Sequence, residues 1–316
     1  PLDRDVLFGY YTSDCDALSS RAREANMNKV AIITDSVSLL TPEIAETYGI
    51  KVVSTHITMD GKDYLDADMN LSEFYAQLPQ LREAEKLPTT SSPSISDYLE
   101  IYRELGKKVK SILCVTYSPR LGMAYNAAAQ AKEMLKGELD EVSVEIIDSD
   151  TCCGAQMLIA LEAAKAAAKG KRLAEITKIA NNMVTQVRQI FMVEDLYHLA
   201  KGGRIGKARQ WASSTISTKS LLGLDASTGG VILPLTRAKT KTKLMEKMLE
   251  IVKERNGNKK LHAVINHANV PQEAEELKRR LLSRFDCAEL YVTPVLPLLA
   301  IHNGLGCIWL AWYGED

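Results

Sequence analysis

The feature that most restricts this chain is an alternation. Short apolar runs of strand length, several ending in polar residues, are separated by amphipathic stretches of helix length. The first run, Lys29-Val30-Ala31-Ile32-Ile33-Thr34-Asp35-Ser36, is continuously apolar before its polar end, as in a strand buried on both faces. Thr41 is placed to cap a helix that has Pro42 at its first position, and Gly49 stands where that helix should stop. The pattern continues with a strand at 52–57, helices at 71–81 and 96–105, and a strand at 111–116. A helix at 123–135, a strand at 142–147 and an Ala-rich helix at 154–169 follow. Strands alternating with helices in this way predict βαβ units and a largely parallel sheet.

Gly170-Lys171-Arg172 reads as a boundary, because the order of elements changes beyond it. A helix at 173–187 and a strand at 189–194 precede short strands near 219–225 and 230–236, joined across Ser227-Thr228-Gly229-Gly230, a hairpin signal. A helix at 238–254, a strand at 261–266, a helix at 271–284 and strands at 288–292 and 307–312 complete the chain. The expected architecture is a two-lobed α/β protein. Residues 28–170 form a parallel-sheet N-terminal lobe, 171–316 a mixed α/β C-terminal lobe, and a ligand cleft lies between them. Residues 1–27 are charged and aperiodic and read as a linker or arm. The first residue is Pro1 rather than Met, so the chain is expected to be a piece of a longer polypeptide, and a regulatory or assembly module within one is a further reading.

Composition matters here for what it excludes. The net charge is −1 with no long basic run, which argues against a nucleic-acid surface. No apolar run reaches the ~20 residues that span a bilayer. The six cysteines form no CxxC pair, several lie in apolar runs, and no signal sequence precedes them. They read as small buried hydrophobes in a reducing, cytoplasmic compartment. His262 and His267 lie five apart on one strand and face opposite sides, so no metal site is expected.

Three strands end in polar groups: Thr34-Asp35-Ser36, Thr116-Tyr117-Ser118 and Asp148-Ser149-Asp150. Ligands of open parallel sheets bind outside the carboxyl ends of the strands, so these form a candidate rim, with helix capping as the plainer explanation. The loop Thr89-Thr90-Ser91-Ser92-Pro93-Ser94 offers hydroxyls just before a helix. Hydroxyls and free helix N–H groups together bind anions. Having no Lys or Arg, the loop suits a single carboxylate better than the phosphates of a nucleotide. Lys201-Gly202-Gly203-Arg204-Ile205-Gly206-Lys207 fails the GxxxxGK[ST] test, with Lys at 201 and Ala208 at the hydroxyl position, and remains a tight cationic turn. His302, before the turn Asn303-Gly304-Leu305-Gly306, is able to donate a ring N–H to a carboxylate.

Taken in order, these landmarks resemble the DegV family of bacterial fatty-acid-binding proteins. Ile33-Thr34-Asp35-Ser36 opens the series, and Thr90-Ser91-Ser92-Pro93-Ser94 is similar to the family's Thr-Ser-Gln-Pro-Ser. Tyr117-Ser118-Pro119-Arg120-Leu121-Gly122-Met123-Ala124-Tyr125 looks like its Ser-Ser-x-Leu-Ser-Gly-Thr-Tyr element. Ile147-Asp148-Ser149, Lys201-Gly202-Gly203-Arg204-Ile205 and His302-Asn303-Gly304-Leu305-Gly306 match later motifs, so the likeness runs from about residue 29 to the end.

The resemblance implies a carrier that binds a long-chain fatty acid without catalysis and without a cofactor. The acyl chain would lie in a buried tunnel and the carboxylate between the lobes. It also implies an ATP-dependent kinase partner, as a separate subunit or a fused domain, that makes the acyl phosphate. By the same carry-over Thr90 holds the carboxylate, assisted by His302, with Arg204 near the head group or the kinase. Where the family has its second serine this chain has Pro119, and Gly122-Met123-Ala124 replace Ser-Gly-Thr. Ser91, Ser118 and backbone N–H groups are the expected replacements, and Thr34 and Asp35 complete the expected site. The rival reading is a small-molecule hydrolase or phosphotransferase using Asp35, Asp148 and His302 in the cleft.

Overall fold

The computed structural model describes residues 30–212 and 218–315; the proposed arm at 1–27 lies outside the described residues. Strand β1 (Val30–Asp35) passes through a single helical turn to α1 (Pro42–Tyr48) and β2 (Ile50–Val53). Thr41 Oγ1 caps α1 and Gly49 ends it in the left-handed conformation, as the sequence predicts. Strands β3 (His56–Met59) and β4 (Lys62–Leu65) then pair antiparallel, and α2 (Leu71–Glu83) leads to β5 (Thr89–Ser91), which lies against β3. Next come α3 (Ile95–Gly106), β6 (Ser111–Thr116), α4 (Ala124–Leu135), β7 (Ser143–Asp148), α5 (Cys153–Ala168) and α6 (Leu173–Gln186).

The rest of the chain holds β8 (Arg188–Val193), the short helices α7 (Tyr197–Lys201) and α8 (Arg209–Ala212), and β9 (Lys219–Gly223). It ends with β10 (Leu233–Ala238), α9 (Lys241–Asn256), β11 (Lys260–His267), α10 (Pro271–Arg284), β12 (Cys287–Pro294), α11 (Pro297–Asn303) and β13 (Ile308–Glu315).

Two main sheets result. The first is parallel, in the order β2-β1-β6-β7, and the second is mixed, in the order β10-β9-β8-β13-β11-β12. Helix α5 is the joint between them. It is buried on nearly every side and packs on β1 and β6 of the first sheet and on β11 and β13 of the second. Its run of Ala, Gly and Cys lets both sheets approach it closely. Among the described residues no helix is long and apolar enough to cross a membrane.

Three expectations need correction. The strand expected at 52–57 is two strands in different sheets. Thr55 breaks it, because its N–H donates to Ser36 Oγ at 3.0 Å and its hydroxyl to Asp66 Oδ2 at 3.2 Å. The region expected as the 89–94 loop begins as a strand, so β3, β4 and β5 make a small third sheet. Helix α6, placed after the expected boundary at Gly170, packs on α5, β6 and β7, so the chain passes to the second sheet with β8.

Candidate functional site

Beyond the carboxyl ends of β1 and β6, against β5, α11 and Trp309 of β13, lies a cavity of about 380 Å³. Its walls come from both halves of the chain: Thr90 and Tyr117 from one, Leu199, Arg204, Leu224 and Trp309 from the other. The volume falls in the range of small-ligand sites. Most of the wall is apolar, including Val37, Leu121, Ile232, Leu298 and Leu299. Exposed Met123 also lines it and marks its mouth.

Two polar pairs interrupt this wall. In the first, Thr90 Oγ1 lies 2.8 Å from His302 Nε2. Thr90 is the half-buried middle residue of β5, with Thr89 and Ser91 exposed on either side, the alternation expected of a strand. His302 lies near the end of α11, whose start is fixed from far away in sequence. Asp66 Oδ1 accepts the Leu298 N–H at 2.9 Å, and Tyr75 Oη donates to Val295 O. Asp66 is itself buried, with hydroxyls of Ser36 and Thr55 on its second oxygen at 3.3 and 3.2 Å. Burial pushes its pKa up to about 6.

His302 Nδ1 has no hydrogen-bond partner among the described residues. It faces Gly202, where a Cβ would stand only 2.4 Å away, so the ring position depends on that glycine. Burial pushes the His302 pKa down to about 4, and the positive charges of Arg204 and His198 add to the effect. The imidazole is therefore neutral at pH 7. Assigning its proton to Nε2 avoids an unpaired buried N–H at Nδ1. Nε2–H then donates to Thr90 Oγ1, and the Thr90 hydroxyl proton is left for the cavity.

The second pair joins Ser92 Oγ and Tyr117 Oη at 2.5 Å, with the Met123 N–H also donating to Ser92 Oγ at 2.8 Å. Tyr117 follows β6, and its backbone N–H is held by Asp35 Oδ2 at 3.2 Å. A Cβ at Gly122 would stand 2.4 Å from Tyr117 Oη and 3.0 Å from Ser92 Oγ. Glycine at 122 makes room for this pair. Beside both pairs, Arg204 donates to Leu121 O at 3.2 Å and to Gly202 O at 2.6 Å.

Of the residues expected from the sequence, the cavity brings together Thr90, Ser91, Arg204 and His302. Thr34, Asp35 and Ser118 are not among its lining residues. All three are buried and turned to internal partners. Thr34 Oγ1 donates to Val115 O and accepts from Gln156, Asp35 accepts the N–H groups of Val37 and Tyr117, and Ser118 Oγ donates to Gly230 O. Burial raises the Asp35 pKa to about 7. Asp148 accepts the Asp150 N–H and does not line the cavity either, so the Asp35, Asp148 and His302 set of the hydrolase reading is not assembled. Ser92, Tyr117 and Asn303 also line the cavity; the sequence reading named them within its motifs but not as ligand-binding residues. The Ser92–Tyr117 pairing spans 25 positions.

The model of a family described as uncharacterised proteins, DegV family, matches residues 29–315. A DegV domain-containing protein of Clostridium perfringens is 29% identical over 288 residues, covering 91% of this chain and 99% of the relative. A crystal structure described as DegV, a fatty acid binding protein from Bacillus subtilis, superposes with a TM-score of 0.79 at 27% identity, covering 91% of this chain and 99% of that one. A DegV family protein from Thermus thermophilus, described for fatty acid binding, has a TM-score of 0.82 at 24% identity, covering 91% of this chain and all of its own. This last likeness bears on the fold.

Proposed function

The chain belongs to the DegV family, and on that premise we propose that it binds a long-chain fatty acid in this cavity. The observation that carries this reading is the Thr90–His302 pair. With His302 Nε2–H donating across 2.8 Å to Thr90 Oγ1, the pair turns one neutral donor, the Thr90 hydroxyl, to a mostly apolar cavity, and the fixed charge of Arg204 is close enough to depress the imidazole. A carboxylate needs donors and a nearby positive charge; a phosphate ester would require more of both. The acyl chain would lie against Val37, Leu224, Ile232 and Leu298, gaining about 0.8 kcal/mol for each buried CH₂. The tail supplies affinity and the polar wall selects the head group. In this proposal the role is a carrier's.

We further propose that the carrier presents the carboxylate to an ATP-dependent kinase for acyl-phosphate formation. The Met123 N–H bonds Ser92, so polar wall and mouth adjoin, leaving the head group within reach of a partner enzyme. Native mass spectrometry of the purified chain should show an added fatty-acid mass. Thr90→Val should weaken fatty-acid binding roughly tenfold or more with little change in thermal stability, as expected for one lost hydrogen bond to a charged group. Wild-type protein that carries no lipid and ignores added fatty acid would sink the reading.

A further inference from the structure

We propose that Ser92, set by Tyr117 and the Met123 N–H, is a second head-group donor that makes the cavity selective for a carboxylate over an alcohol of the same chain length. This rests on the fatty-acid reading above and concerns the same cavity. Ser92 Oγ has two lone pairs and one proton. The Met123 N–H, 2.8 Å away, takes one lone pair. Tyr117 Oη is 2.5 Å away, and a phenol is the better donor and poorer acceptor of the two hydroxyls. Its O–H therefore takes the second lone pair. Ser92 is left with a proton and no free lone pair, so toward the cavity it acts only as a donor.

Nothing else on the protein claims that proton: among the described residues Ser92 Oγ has only Tyr117 and Met123 as partners. Thr90 and Ser92 both line the cavity, and residues two apart on extended chain stand about 6–7 Å from one another. Two charge-assisted bonds of roughly 2.7 Å, one to each oxygen of a carboxylate, bridge that distance. A fatty alcohol has one oxygen, which reaches one donor, and brings a proton that Ser92 is unable to accept. Gly122 is the positioning residue that keeps this arrangement open, since any side chain there would push Tyr117 Oη or Ser92 Oγ aside.

Stearic acid and octadecanol, titrated into the delipidated protein, test the proposal. Ser92→Ala should weaken stearic acid binding by roughly ten- to a hundredfold, the scale of one hydrogen bond to a charged group, and octadecanol binding far less. Tyr117→Phe frees a lone pair on Ser92, so it should narrow the preference for acid over alcohol by strengthening alcohol binding as well as weakening acid binding. A purely structural role for Tyr117 would weaken both ligands together. Variants that keep the wild-type affinity for stearic acid and the wild-type acid-to-alcohol ratio overturn the role of Ser92 while leaving the carrier reading intact. Wild-type protein that binds neither ligand overturns both.

Discussion

Two histidines in this chain have opposite surroundings. His302, in the cavity wall, has among the described residues one hydrogen-bond partner, Thr90, and an unpartnered Nδ1, and its pKa is pushed down to about 4. His262, on β11, is held between Glu289 and Glu315 at 3.0 Å each and stacks on Tyr313. Burial works against its charge, but the two carboxylates prevail and its pKa is raised. Glu289 also pairs with Lys165 at 2.7 Å, and Lys165 with Glu162, so the cluster is internally satisfied. The comparison separates the histidine proposed to act at the ligand from a structural one. A satisfied cluster has no demand left for a ligand, whereas the Thr90–His302 pair leaves a hydroxyl proton turned to an apolar cavity. Buried polar groups are normally paired, and an open one at a cavity wall marks where a ligand belongs.

Substitutions at the two sites should therefore move different observables. The largest effect is expected for His302→Phe, which keeps a ring against Gly202 but removes the donor to Thr90. Fatty-acid affinity should fall by about one to two orders of magnitude, whereas His262→Gln should leave it unchanged. Equal loss in both variants, measured by titration of delipidated protein, would break the comparison. A smaller effect is expected from Glu289→Gln, which leaves Lys165 and His262 short of a carboxylate in a half-buried place. Denaturant unfolding should show a loss of about 2 kcal/mol with fatty-acid affinity preserved. A stability indistinguishable from wild type would show that solvent screens this cluster.

The parts of this molecule that were legible from sequence share one property: their signals are local. Apolar runs, the Thr41 cap and the Gly49 stop all act within a few residues, and the corresponding elements form as expected. The hairpin of β3 and β4 is also local, with Asp60 and Gly61 both at positive φ, and Asp60-Gly61 is the sequence signal for it. Strands of four residues leave little periodicity to read, so that signal is easily passed over. Thr34, Asp35 and Ser118 illustrate a different limit. A polar residue at a strand end reads the same whether it faces a ligand or a neighbouring backbone group, and here all three face backbone. The Ser92–Tyr117 pair is a third case. Its members become neighbours only because Gly122 lacks a side chain, a three-body condition that no single motif spells out.

The two histidines also differ in how pH moves stability. The His302 pKa lies below its unfolded value of 6.5, so between about pH 4 and 6.5 the unfolded chain binds more protons than the folded one. Stability from this group is therefore complete above pH 6.5 and is lost as pH falls toward 4. His262 has the opposite sign: its raised pKa gives stability that is complete below 6.5 and lost as pH rises through its folded value. Unfolding free energies of delipidated protein across pH 4–9 should thus show a slope of at most about 1.4 kcal/mol per pH unit from each group in its own window. His302→Phe should flatten the acid limb only in part, because His267, pushed down to about 4 by burial, contributes there as well. His262→Gln should flatten the limb above pH 6.5 only in part, because His56, raised by Asp97 and Asp63 against its burial, contributes there as well, and should leave the acid limb alone. If His302→Phe instead alters the alkaline limb, the imidazole is charged in the cavity, and the donor assignment to Thr90 must be redrawn around a cationic ring.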